Sequence, residues 1–194
     1  MFGIRVQGDA GDTKEGGFFG YVSGGTVKSF TIYGDIVATK TQTQGELSGL
    51  GVIGCATKAT ITEIQSCVTI SCNKDVTYLR YVGGIVGYQK STDISKCIWW
   101  GYIDLGETKI DAVGGLSGYN QGDGTGSITD CASYGTIESN YAGSVNLGGI
   151  IGYINNPNVV IKDCIFAGRF EIGEGTRDVN ISAVGYVRNV SELS

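Results

Sequence analysis

The side chains that could carry chemistry in this chain are cysteines and carboxylates, because its 194 residues include no histidine. Without histidine, Ser-His-Asp catalysis, Cys-His catalysis and histidine-based metal sites are all excluded. The six cysteines show no Cys-x-x-Cys spacing of the kind that zinc ligands have. The sequence therefore predicts no catalytic residue, no metal site and no cofactor.

Two aspartates, Asp130 and Asp163, occupy equivalent positions just before a cysteine in two similar segments. On consecutive strands they would lie about 5 Å apart, which suits a retaining glycosidase pair, a calcium site or two solvated turn residues. In the other segments we assign Ser29, Ser66 and Lys96 to this position. This variety favours a polar turn.

The similar segments share the pattern apolar-x-x-Cys-x-x-x-Gly-x-apolar. Its clearest copies are ISKCIWWGYI (94–103), ITDCASYGTI (128–137) and IKDCIFAGRF (161–170). From the cysteine onward the pattern has a period of two, which is typical of a strand with one buried face. Because free cysteine is among the most buried residue types, we expect an inward column of small apolar side chains. Its predicted members are Phe30, Cys67, Cys97, Cys131 and Cys164.

A disulfide framework is the alternative reading of these cysteines in a secreted chain. We favour the inward column, because phenylalanine replaces cysteine in one copy. The thiols of Cys97, Cys131 and Cys164 are then expected to be free and protected in the native protein. Cys55 and Cys72 lie outside the column, and the pattern leaves their state open.

A glycine-rich hexapeptide recurs in phase with the cysteine pattern, as GGFFGY (16–21), GGIVGY (83–88), GGLSGY (114–119) and GGIIGY (148–153). Weaker copies are LGVIGC (50–55) and ISAVGY (181–186). The glycines that precede the last residue are Gly20, Gly54, Gly87, Gly118, Gly152 and Gly185, spaced 34, 33, 31, 34 and 33 residues apart. Self-similarity at such a period indicates a repeat architecture.

Each repeat is expected to form short strands, because the chain has 33 glycines and many β-branched residues, and its patterns lack a helical period. One repeat cannot bury its own apolar side, so neighbouring repeats must stack. The sequence predicts an all-β fold, a right-handed parallel β-helix or β-solenoid of five to six coils of about 33 residues. The hexapeptide glycines are expected at a corner, where successive backbones pass closely. A β-sandwich of hairpins would not require the same residues in the same order.

The succession of GGIVGY and ISKCIWWGYI resembles the GLUG motif, a glycine-rich repeat of large bacterial surface proteins. Such proteins include adhesin-like proteins and the non-catalytic parts of some bacterial IgA-cleaving metallopeptidases. The resemblance extends over five repeats and a truncated sixth, and it is weakest in residues 50–73. It implies an extracellular or cell-surface location and a structural or adhesive role. It transfers no catalytic residue.

Composition and charge restrict the classes of partner that the chain is expected to bind. A net charge of −5, a pI of about 4.7 and the lack of a basic cluster argue against nucleic acid. No apolar run approaches the roughly 20 residues of a membrane helix. We expect residues 1–194 to form one solenoid domain. Residues 2–6 resemble the closing strand of an earlier coil, so we expect a segment of a longer repeat protein whose remaining coils are its partners.

A ligand surface is predicted on the outside of the coil. If the cysteine column points inward, the residue three positions later points outward, since side chains alternate along a strand. This outer column is assigned as Tyr33, Ile70, Trp100, Tyr134 and Ala167, with Tyr102 on the same face. Two alternatives stay open: the remaining residues of each repeat could cover this face, or a one-residue slip could turn Trp100 inward.

Three functions are compatible with these observations. The first is a non-catalytic module that binds a glycan or a host surface protein through the aromatic column formed by Tyr33, Trp100, Tyr102 and Tyr134. The second is a carbohydrate-active lyase or hydrolase, which requires clustered acidic residues with a basic partner. The third is a structural spacer, which predicts no exposed aromatic patch.

Overall fold

The computed structural model describes residues 15–39, 41, 48–122, 125–155, 158–175 and 180–188. Within these ranges the chain forms strands and no helix, so the predicted all-β class is confirmed. No helix long and apolar enough to cross a membrane occurs in the described ranges. Residues 2–6, which suggested an earlier coil, lie outside them.

The strands are short, apart from a few that continue through several sides of a coil. They are β1 Glu15–Gly16, β2 Phe19–Ser23, β3 Thr26–Ala38, β4 Gly49–Leu50, β5 Ile53–Thr57, β6 Thr60–Cys72, β7 Tyr78–Gly83, β8 Val86–Lys90, β9 Asp93–Ser95, β10 Ile98–Trp99, β11 Tyr102–Asp104, β12 Lys109–Gly114, β13 Ser117–Gln121, β14 Gly126–Thr129, β15 Ala132–Ser133, β16 Thr136–Ser139, β17 Asn146–Asn155, β18 Val159–Lys162, β19 Ile165–Phe166, β20 Arg169–Ile172 and β21 Asn180–Val187.

Every described strand pair is parallel and joins one repeat to the next. A typical coil runs β7 and β8 in a ten-stranded sheet and then β9, β10 and β11 in an eleven-stranded sheet. The next coil repeats this order as β12 to β16. The predicted parallel β-solenoid is therefore confirmed, and the described residues complete about five turns.

The hexapeptide glycines lie at the corner between the first two strands of a coil, for example between β7 and β8. At Gly83 a Cβ atom would lie 2.1 Å from the carbonyl oxygen of Val86. At Gly84 it would lie 2.4 Å from the Trp99 ring. Glycine is required here because the neighbouring backbone and a core side chain leave no space for a side chain.

The assignment of Cys67 to the inward column is wrong. Phe30 pairs with Ile64, whereas Cys67 pairs with Tyr33. Ile64 is fully buried and Cys67 is only half-buried. The second coil contains two overlapping copies of the apolar-x-x-(Cys or apolar) spacing, Ile61 to Ile64 and Ile64 to Cys67. The hydrogen-bond ladders to both neighbouring rungs select the first copy.

Trp99 is the largest fully buried side chain of the described core. In the direction of the solenoid axis it lies between Ser66 and Ser133, whose side chains are small. Beside the ring, Cβ atoms on Gly101 and Gly135 would come within 2.5 and 2.7 Å of indole atoms. The core accommodates one bulky ring because the positions around it carry serine or glycine.

Candidate functional site

The outer aromatic column follows the corrected register. Tyr33 pairs with Cys67, and the ladder continues through Trp100 and Tyr134 to Ala167. Ile70, which the sequence assigned to this column, is fully buried instead. It lies three residues after Cys67 on the same strand and faces the interior. A half-buried cysteine therefore lies between the two exposed rings of Tyr33 and Trp100.

Trp100 and Tyr134 stack on consecutive rungs, with ring centroids 4.2 Å apart and planes 22° apart. Trp100 is 52% exposed, and Tyr33 is 48% exposed. Because the two stacked rings belong to neighbouring strands, their faces point along the solenoid axis. One face of Trp100 is covered by Tyr134, and the opposite face points toward the rung of Cys67.

The short Cys67 side chain leaves a notch in the aromatic column. Tyr33 and Trp100 lie two rungs apart, which places their backbones about 9.6 Å from each other. A flat ring held midway would be about 4.8 Å from each side, within the roughly 4.5–7 Å at which ring centroids pack. We refer to Tyr33, Cys67 and Trp100 together as the aromatic notch. It is a space between two rings of the outer column that the sequence predicted.

Tyr102 lies on the same outer side as Trp100, but its hydroxyl is engaged. It donates a hydrogen bond to a carboxylate oxygen of Glu138 on the next rung. This hydrogen bond, with burial, raises the pKa of Tyr102. The side chain is half-buried and forms a polar border to the stack of Trp100 and Tyr134.

Asp130 and Asp163 occupy a turn in which the backbone is left-handed, with φ of 54° at both residues. The equivalent residues Ser29, Glu63 and Lys96 share this conformation, with φ of 60°, 57° and 51°. The sequence assignment placed Ser66 at this position, but the ladder puts Glu63 there. Asp and Asn tolerate such φ values better than most side chains. The position is a recurring polar turn between two strands.

All six cysteines are free thiols. Cys97 and Cys131 are buried in the inward column, and Cys164 in the last described coil is half-buried. Each of these three thiols donates to a carbonyl oxygen of the coil wall, as Cys97 does to Ser95 at 3.2 Å and Cys131 to Thr129 at 3.1 Å. The hydrogen bond with Cys131, together with burial, raises the pKa of Cys164. Among the described residues, no group of His, Cys, Asp and Glu is arranged as metal ligands are.

The hexapeptide tyrosines build a second aromatic cluster, which the sequence analysis did not assign. They form a buried cluster separate from the main core, together with Tyr81, which precedes the hexapeptide of its coil. Tyr81 stacks on Tyr119 at 4.2 Å, and Tyr88 stacks on Tyr119 at 5.6 Å. Tyr153 meets Tyr119 edge to face at 5.1 Å. The signal was present, because a tyrosine recurring at the same repeat position must stack on consecutive rungs.

Part of the chain matches a known protein family. Residues 111–138 match the family model described as the GLUG motif. These residues comprise most of β12 and of β16 and all of β13 to β15, and they include the corner at Gly114, the turn at Asp130 and the stacked ring of Tyr134. A search of curated proteins found no match.

Proposed function

The chain is a β-solenoid that carries the GLUG motif, and from this premise we propose that it is a non-catalytic, ligand-binding repeat module in adhesion. We place the module on a bacterial cell surface or in a secreted protein. The parent protein would continue the stack with further coils. The ligand we propose is an extended glycan, and the surface that receives it is the outer aromatic column.

The observation that supports a binding role is the exposure of Trp100. About half of the Trp100 side chain is exposed to solvent, whereas its neighbour Trp99 is fully buried in the core. Exposed aromatic side chains that form contiguous patches are typical of interaction surfaces. A spacer would not need such a patch.

The notch favours a saccharide. A sugar ring has apolar C–H faces and polar edges, and Tyr33 and Trp100 would contact its two faces. Around the notch, the strands of Tyr33 and Cys67 carry the outward polar residues Thr31, Gln65 and Thr69, whereas Ile98 beside Gln65 is apolar. Their hydroxyl and amide groups can exchange hydrogen bonds with sugar hydroxyls. A combination of aromatic walls and a few polar groups is typical of small-molecule sites.

The absence of catalysis is part of the proposal. The paired aspartates Asp130 and Asp163 are accounted for by the left-handed turn, since serine, glutamate and lysine fill the same position in other coils. Because the same left-handed turn recurs with other polar side chains, the two aspartates do not need a catalytic explanation. The enzyme alternative would require turnover of a polysaccharide by the isolated chain.

The proposal is tested with a glycan array and the variant Trp100→Ala. We expect a positive glycan whose binding the variant abolishes, with a melting temperature close to that of the native chain. The stack with Tyr134 contributes only about 0.5–1.5 kcal/mol beyond area burial. Tyr21→Ala is the matched control, because Tyr21 is also exposed, at 54%, but belongs to the other sheet.

Three outcomes would contradict the proposal. If no glycan binds, or if Trp100→Ala leaves glycan binding intact, the notch is not the binding site. A large loss of stability in Trp100→Ala would show that the ring is packing, and the spacer would then be the better description.

A further inference from the structure

The aromatic notch is bordered on one side by carboxylates. The outer column beside it consists of Asp35, Thr69 and Tyr102, on the same three rungs as the notch. Each of these residues follows a residue of the notch by two positions, so it lies on the same outer face, about 6.6 Å along the strand. The next outer column carries Asp104 and Glu138 on neighbouring rungs. The charges of this border therefore act on anything held in the notch.

Asp35 is the carboxylate nearest to the notch, and its side chain is available to a ligand. The residue is exposed, and among the described residues none forms a hydrogen bond or an ion pair with its carboxylate. The other two carboxylates of the border are engaged. Asp104 accepts a hydrogen bond from the Gly106 amide, and Glu138 accepts one from the Tyr102 hydroxyl. Asp35 is therefore the charged group that a ligand in the notch would meet.

The positive side chains of this outer face lie further from the notch. Lys28 and Lys96 are at the opposite border, at or next to the left-handed turn that precedes the notch along the chain. Arg169 lies two rungs beyond Trp100 and already donates to the Glu171 carboxylate. The potential at the carboxylate border is therefore negative, in a chain whose net charge is −5.

The rings of the notch also favour a positive group. The face of an aromatic ring is negative, so it attracts a cation within about 6 Å of the ring centre, and tryptophan does so most strongly. Tyr134 stacks on one face of Trp100, and the opposite face points toward the rung of Cys67. A cation in the notch would be attracted by this ring and by Asp35 together. An anion would be repelled by both.

We propose that the aromatic notch selects an amino sugar whose amine is unacylated and protonated. This inference rests on the function proposed above, because it takes the notch as a glycan site and adds the charge of the ligand. The sugar ring lies between Tyr33 and Trp100, and its ammonium group binds the Asp35 carboxylate. Thr69, two residues after Cys67, offers its hydroxyl to the neighbouring hydroxyl of the sugar.

The experiment compares two trisaccharides of the same linkage, one of glucosamine and one of glucose, in calorimetric titrations of the whole chain. They differ only in that each glucosamine ring carries an amine in place of one hydroxyl, and the buffer is acidic enough to keep the amines protonated. We expect the glucosamine trisaccharide to bind about tenfold more tightly, because it gains an exposed ion pair and a cation–π contact. Added salt should reduce this difference, since it screens the ionic part.

Asp35→Asn is the principal variant, because it removes the charge and keeps the shape of the side chain. We expect it to weaken binding of the glucosamine trisaccharide about threefold and to leave binding of the glucose trisaccharide unchanged. Asp75→Asn is the matched control, since Asp75 is also exposed but lies beyond the end of β6, outside the notch. Both variants change the net charge equally, so a difference between them reports the local contact.

The proposal is overturned if the glucosamine trisaccharide does not bind or binds no more tightly than the glucose trisaccharide. It is also overturned if Asp35→Asn leaves the ratio of the two affinities unchanged, or if Asp75→Asn lowers that ratio as much.

Trp100→Ala separates a failure of this inference from a failure of the proposed function. If the native chain binds both trisaccharides equally and Trp100→Ala abolishes both, the notch is a glycan site and only the preference for an amino sugar is wrong. If Trp100→Ala leaves the binding of both intact, the notch is not the site and both proposals fail.

Discussion

At the scale of single residues, the two sides of each strand create two classes of cysteine. Cys97 and Cys131 face the interior and are 0% and 2% exposed. Cys67 faces outward in the aromatic notch and is only half-buried. Burial raises the pKa of Cys67, but its sulfur remains within reach of solvent. Accessibility, rather than the thiol pKa alone, then decides which cysteine reacts.

We predict that a thiol reagent labels Cys67 first in the native protein, and that Cys97 and Cys131 react only after denaturation. Mass spectrometry of digests taken during labelling measures the order. Cys67→Ser should remove the fast phase and leave the slow ones. Fast native labelling of Cys97 or Cys131, or disulfide-linked pairs in a non-reducing digest, would contradict the inward column.

At the scale of the structural element, the buried Trp99 ring fits only because the positions beside it are glycine. The Trp99 ring occupies the space next to Gly101, which follows its own strand, and next to Gly135, the equivalent glycine of the next coil. In the last described coil Phe166 takes the same column, and a Cβ atom on Gly149 would lie 2.2 Å from its ring. The repeat keeps glycine at these positions because the interior is already filled by an aromatic side chain.

Gly135→Ala is predicted to lower the free energy of unfolding by about 1–3 kcal/mol, the usual cost of overpacking a core. The new Cβ atom would lie 2.4 Å from the Gly101 carbonyl oxygen and 2.7 Å from Trp99, and a backbone atom cannot rotate away. Gly175→Ala is the matched control, since its Cβ atom would meet nothing closer than 3.6 Å. Urea denaturation measures both. Equal stability of the two variants would show that the backbone beside Trp99 moves aside more easily than we expect.

At the scale of the whole molecule, the buried tyrosines make the free energy of unfolding depend on pH in the alkaline range. Burial raises the pKa of Tyr78 to about 12 and raises the pKa values of Tyr81 and Tyr88 further. In the unfolded chain a tyrosine has a pKa of about 10. Above that value the unfolded state loses protons that the folded state keeps. The stability present below about pH 10 is therefore lost as the pH rises through the folded pKa values.

We predict that the free energy of unfolding declines between about pH 10 and about pH 12, by up to about 1.4 kcal/mol per pH unit for each such tyrosine. Urea denaturation at a series of pH values measures the slope. Tyr88→Phe should make the slope shallower, because one ionisable group is removed. A slope that Tyr88→Phe does not change would show that other groups cause the alkaline loss.

The repeat period, the strand character and the parallel stacking were determined by the sequence alone, because each depends on residues that recur at a fixed spacing. The same spacing predicted which side of a strand carries Cys97 and which carries Trp100, since alternation is a local property of extended backbone. It also predicted glycine at the corner. These features required no knowledge of which strand lies beside which.

Only the tertiary structure decided the register of the second coil. Ile64 and Cys67 both fit the column by spacing, and the choice between them depends on hydrogen bonds to strands about 33 residues away in the chain. For the same reason the sequence could not reveal the aromatic notch, which exists because Cys67 lies between Tyr33 and Trp100. Local patterns specify elements, whereas sites built across coils depend on contacts between residues distant in sequence.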